Sequence, residues 1–324
     1  MRVADQGQSR LTYRMSILTS LQDPILPIFM ALMVGYGFRR VRFFEVSNAQ
    51  AINRFVFYVA MPALIFNLVS KVPLHQIDGP AISAYLLSEF AVYGGVALIC
   101  MRYFKCTAAE SVLIGMAAAF VNHLMFVLPI ARNLYDLAAV EPIAAIVFAD
   151  VIVFCLTVLL MDVMRAHEST THGVYRLKNV MVMLAKNPIV IATTLGVFVG
   201  LFPGVLPSGV HTYAQFLAGA AAPAALFALG VILGDQPVRP VGGPAWLAVG
   251  AKLVLHPAIF FLLSGIVAMK PDWQTMAFLV AAGPCGAMPF VIALQYNVKS
   301  TVIAKAVLIS TVLSLLSLSA LTAQ

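Results

Sequence analysis

Apolar residues run through this chain in long blocks. They show neither the alternation of half-buried strands nor the one-sided stripe of surface helices. Ten blocks are long enough to cross a bilayer core, which takes about 20 helical residues with tolerance for tilt. They lie at 24–38, 49–70, 81–103, 108–134, 142–164, 187–203, 212–234, 244–268, 273–296 and 300–321, the first extending toward Ile17 as an alternative. A helix satisfies its own backbone where lipid offers no hydrogen bonds. The pattern therefore predicts an all-α integral membrane protein. The connections are short and polar. The longest, 165–186, is too short to fold as a domain of its own.

Composition agrees: 61% of the 324 residues are hydrophobic and 10% charged, against about a quarter charged in soluble domains. The net charge of +7 does not point to nucleic acid, because the basic residues are scattered over short loops and make no continuous patch. Alternate loops carry 11 and 3 Lys and Arg, which by the positive-inside rule places both termini outside the cytoplasm of a cell inner membrane. Arg2, Arg10 and Arg14 in the N-terminal tail oppose that orientation. A start at Met15 would remove them, so residues 1–14 read as disordered or non-native. No cleavable signal peptide is evident. Cys100, Cys106, Cys155 and Cys285 lack CxxC spacing and read as inert thiols, with no metal or cofactor implied.

The chain also repeats. Asp23-Pro24-Ile25 opens the first block and Asn187-Pro188-Ile189 the sixth, while Pro62-Ala63-Leu64-Ile65-Phe66 in the second has a counterpart in Pro223-Ala224-Ala225-Leu226-Phe227 in the seventh. Five spans per half is an odd number, so the second half enters from the opposite face, an arrangement found in many alternating-access transporters. The expected organisation is a flexible tail over 1–22, a first repeat over 23–164, a cytoplasmic loop over 165–186 and a second repeat over 187–324.

Candidate chemistry lies in the fourth and ninth blocks. The fourth contains Asn122, His123 and Pro129; the ninth reads Gly283-Pro284-Cys285-Gly286-Ala287-Met288-Pro289. Proline removes a donor and crowds the preceding turn, and glycine costs a helix about 1 kcal/mol relative to alanine. Interrupted helices at matching places in two inverted halves point to a midplane binding site, whose freed backbone groups a solute can satisfy. Ordinary proline kinks are the plainer alternative. Asn122 and His123 are candidate ligands, with packing contacts as the alternative. Glu89 and Asp150 lie inside spans and are candidates for proton coupling. Lys252 is a candidate to attract an anion or neutralise an acid, or else it snorkels. Thr193 and Thr194 either line a cavity or bond their own helix. No Walker loop, HExxH or nucleophile elbow appears, so no enzyme is expected.

Asn122 followed by Pro129 resembles the N-x-x-F/Y-L-G-x-P pattern of the auxin efflux carrier family. Pro284-Cys285-Gly286-Ala287-Met288-Pro289-Phe290 is similar to its P-T-G-x-N-x-F stretch. The resemblance runs from about Leu21 to the C-terminus. It implies ten helices as a 5+5 inverted repeat with crossed discontinuous helices four and nine. It further implies a dimerising scaffold of helices one, two, six and seven, an elevator movement, and substrate at the crossover near Asn122, His123, Pro129, Pro284, Gly286, Met288 and Pro289. Two departures stand out: His123 and Met125 stand where the family often has small residues, and Met288 where an asparagine is common. The expected function is transport of a small mono- or dicarboxylate, such as malonate, malate or an auxin-like acid, with proton or sodium coupling in a homodimer. A sodium-coupled symporter of the same architecture and a non-transporting anion sensor remain the rival readings.

Overall fold

The computed structural model describes residues 26–27, 30–71, 77–127, 131, 135, 137–168, 182, 185–202, 204–235 and 241–322. The expected tail over 1–22 and most of the loop over 165–186 lie outside them, as does Pro129. Among the described residues the chain is helical throughout, with one isolated β-bridge. In order come α1 (30–40), α2 (Val46–Val69), α3 (Gly79–Arg102) and α4 (Ala108–Ala119). After a π-helical turn at His123–Val127 follow α5 (Leu137–Glu168), α6 (Pro188–Leu201), α7 (Ser208–Asp235) and α8 (Gly243–Ser264). The chain closes with α9 (Pro271–Ala281), α10 (Met288–Gln295) and α11 (Thr301–Thr322). Five of these helices have a stretch long and apolar enough to cross a membrane, and α4, α6 and part of α11 are shorter apolar helices.

Local chemistry sets the ends. Asp78 accepts from the Ala81 amide at 3.1 Å to cap α3, and its second oxygen accepts from the Lys270 amide at 3.0 Å, just before α9. One carboxylate thus joins two helix starts. Thr107 and Glu110 form a reciprocal capping box on α4, and Asn187 accepts from the Ile189 amide at 2.9 Å to cap α6; each satisfies amides that a helix start leaves open. Prolines explain the irregular turns. Pro62 and Pro257 cannot donate to the carbonyl four residues back, and α2 and α8 respond with π turns at Val56–Ala60 and Ala251–Leu255 just before them.

Two pairs of helices meet in the same way. A Cβ on Gly35 of α1 would run into the Phe227 carbonyl of α7, and one on Gly196 of α6 would lie 3.3 Å from the Phe66 carbonyl of α2. Both partners are displaced by an offset of 161 residues (35 to 196, 66 to 227), the same offset as Pro62 to Pro223. The absence of a side chain lets each pair approach backbone to backbone, as small residues do in membrane interfaces.

The interruptions follow the residues that forbid helix. Helix α9 stops at Ala281 and α10 starts at Met288, with Pro284 and two glycines between. In the fourth block the helix ends at Ala119, with Phe120 extended, earlier than a break at Pro129 would put it. The cause is tertiary: an extended partner is available for pairing here.

Candidate functional site

The two non-helical stretches lie side by side and antiparallel. Val121 and Cys285 form the bridge; the Asn122 amide donates to the Pro284 carbonyl at 3.2 Å and the Gly286 amide to the Phe120 carbonyl at 2.9 Å. A Cβ on Gly286 would stand 2.8 Å from the Val121 carbonyl oxygen, so only glycine admits this approach without displacement. The freed groups thus satisfy one another in part, as membrane depth demands. Beyond the pairing, the Asn122 carbonyl accepts from the amides of Phe126 and Val127 at 3.2 and 3.3 Å, so Asn122 starts the helical turn after the break. The Cys285 amide donates to Ser310 Oγ of α11 at 3.1 Å.

Beside this crossing lies a pocket of about 80 Å³. Asn122, His123, Ala287 and Met288 form its crossover wall, and Asp150 of α5 adds a carboxylate. Met61, Leu64, Ile65 and Leu68 of α2, with Ala222 and Leu226 of α7, form an apolar wall opposite in sequence origin. Of the residues expected at the site, Asn122, His123, Asp150 and Met288 line the pocket. Pro284, Gly286 and Pro289 are buried in or beside the crossing but do not line it.

His123 and Asp150 are 5% and 1% exposed, and His123 Nε2 lies 3.0 Å from Asp150 Oδ2. The contact is within ion-pair range but out of line for a hydrogen bond. The imidazole sits edge-on to Phe120, with ring centroids 5.9 Å apart. Tyr85 of α3 donates its hydroxyl to the same Asp150 oxygen at 3.4 Å. Sequence reading missed Tyr85, although it stands one helical turn before Glu89 on the same face. Glu89 is fully buried, within electrostatic reach of Asp150 and Lys252.

Lys252 has its own task. It is fully buried, and Nζ donates to the Ala281 carbonyl at 2.9 Å while lying 2.7 Å from His256 Nδ1. Ala281 ends α9, so the ammonium meets the negative end of an interrupted helix. This is not snorkelling, and Lys252 is not part of the pocket wall. Gly79-Pro80-Ala81 and Gly243-Pro244-Ala245 open α3 and α8 at an offset of 164, which brings Glu89 and Lys252 to within one residue of equivalent positions. That repeated tripeptide was the available signal for pairing them. Thr193 and Thr194 hydrogen-bond the Ile189 and Val190 carbonyls of their own helix at 2.9 Å. The described residues contain no cluster of His, Cys, Asp and Glu able to hold a metal ion.

The family described as membrane transport protein matches residues 21–322. A protein of Rhizobium meliloti bearing the name "Putative malonate transporter" is 29% identical over 305 residues, covering 92% of this chain and 93% of the relative. Auxin efflux carrier component 5 of Arabidopsis thaliana is 22% identical, covering 90% of this chain and 93% of the relative. The uncharacterized transporter YfdV of Escherichia coli is 22% identical, covering 87% and 90%.

Proposed function

Because the chain belongs to the membrane transport protein family, which takes in the auxin efflux carriers, we propose that it is a secondary transporter of a small organic anion working by alternating access. One observation carries this reading: two interrupted segments pair antiparallel on the wall of a pocket. In this reading the fourth and ninth spans are crossed discontinuous helices in a ten-helix, 5+5 inverted repeat. The shared offset of the Gly35–Phe227 and Gly196–Phe66 contacts supports that repeat.

The substrate carboxylate lies against the crossover wall. The helical turn begun at Asn122 and the start of α10 at Met288 both adjoin the pocket, and helix starts present amides with partial positive charge. The Asn122 side chain adds a donor. The apolar wall from α2 and α7 belongs to a scaffold past which the crossover moves, exposing the pocket to each side in turn. Two polar contacts tie α2 to α10 in the present state: Asn53 Nδ2 to the Val291 carbonyl at 3.1 Å and Gln295 Nε2 to the Tyr58 hydroxyl at 2.7 Å. We place the protein in the plasma membrane as a homodimer with both termini non-cytoplasmic. Malonate and auxin, named for relatives, are the first substrates to try.

Purified protein in liposomes, given labelled malonate or an auxin inside or outside, tests the reading. Saturable flux that falls at least tenfold in Asn122→Ala is expected. Flux equal to that of empty liposomes for every carboxylate tried would sink it.

A further inference from the structure

The pocket wall contains a charge arrangement that bears on what must enter with the substrate. Among the described residues no lysine or arginine lines it; His123 is the lining side chain able to present positive charge, and Asp150 is a lining carboxylate 3.0 Å away. An anion arriving alone would therefore add negative charge beside Asp150 in a largely apolar site, which is costly at membrane depth.

We propose that His123 and Asp150 form a proton-coupling pair, so that a carboxylate binds together with a proton. The inference rests on the organic-anion reading above and deepens it. Other titratable groups lie within electrostatic reach of the pair: Tyr85 and Glu89 from α3 and Lys252 and His256 from α8, with Cys285 of the crossing segment near Lys252. His123 and Asp150, 3.0 Å apart, carry no net charge between them when the imidazole holds a proton and the carboxylate does not. Lys252 cannot turn to the substrate, because the Ala281 carbonyl and His256 hold it.

A bound monocarboxylate then leaves one unbalanced negative charge. In the step proposed, the His123 imidazolium turns its charge to the incoming carboxylate, and Asp150, losing that partner, takes one proton from solution. One O–H bond forms on Asp150 as the bond between that proton and its solvent or buffer donor breaks, and no other covalent bond changes. When the acid leaves, the proton leaves Asp150 and the original pair re-forms. His123 is thus a specificity-determining residue for anions.

The test is titration calorimetry of the full chain in detergent with phenylacetate and with malonate, repeated in buffers of different ionisation enthalpy. The slope of observed against buffer enthalpy counts protons taken up, and about one per phenylacetate bound is expected, since linked protonation appears directly in that slope. His123→Gln should take up none and bind at least tenfold more weakly. Asp150→Asn should still take up one, because its imidazole, uncharged before binding, accepts the proton itself. If His123→Gln does not fold, the wild-type and Asp150→Asn slopes still decide. Binding to wild type without proton uptake, or uptake unchanged in His123→Gln, overturns the pair while leaving the anion reading intact. No heat from either acid in any buffer overturns the anion reading and this inference with it.

Discussion

The two interrupted segments share a backbone and differ in chemistry. From the first come Asn122 and His123, the latter 3.0 Å from Asp150. From the second come Cys285, Ala287 and Met288, and the nearby cation, Lys252, is bound to the last carbonyl of α9. The two segments thus differ in use: one presents polar groups to the pocket, and beside the other a buried lysine supports the end of a broken helix.

That contrast can be broken by experiment. The largest effect is expected from Lys252→Met, which leaves the buried Ala281 carbonyl at the α9 end without its donor. Losing a buried hydrogen bond to a charged group costs about 1.5–3 kcal/mol, and unfolding in detergent should show a loss of that order. A change under 1 kcal/mol would mean that Lys252 supports nothing.

Next comes the close approach of α1 and α7. Gly35→Ala forces a methyl against the Phe227 carbonyl and should cost roughly 1–3 kcal/mol by overpacking. Gly196→Ala, whose nearest neighbours are Val69 side-chain atoms at 2.9 and 3.0 Å, should cost less. Equal losses would argue against the different tightness of the two interfaces. Met288→Asn sharpens the comparison from the other side: it adds a polar ligand to the second half. The ratio of malonate to phenylacetate affinity, read by competition, should rise several-fold, and an unchanged ratio would remove Met288 from the specificity of the site. The smallest effect is expected of Thr193→Val, because its hydroxyl is bound to its own helix. Unfolding and uptake should both stay near wild type, within about 0.5 kcal/mol for stability, as for other substitutions away from special features.

Much of the fold was readable because membrane helices answer to few rules. Block length marks Gly79–Arg102, and prolines and glycines mark the gap between Ala281 and Met288. The early break at Phe120 was not readable in the same way. Nothing in Ala118-Ala119-Phe120-Val121 forbids helix; those residues extend because Pro284 and Gly286 supply a carbonyl and an amide to pair with. The site was half legible for a related reason. Asn122 and His123 stand out as polar residues in an apolar block, whereas nothing in the linear order ties His123 to Asp150 or Lys252 to the end of α9.

The amino-acid order by itself determined that this chain lives in lipid, that the helix after Ala281 is interrupted, and which polar groups are placed at depth, since these follow from proline and glycine chemistry and from the cost of exposing backbone or charge to hydrocarbon. Only the tertiary structure decided which buried charges face one another. Pairing across 27 residues for His123 and Asp150, or 29 for Lys252 and Ala281, depends on how helices pack, and packing is a property of surfaces meeting in space.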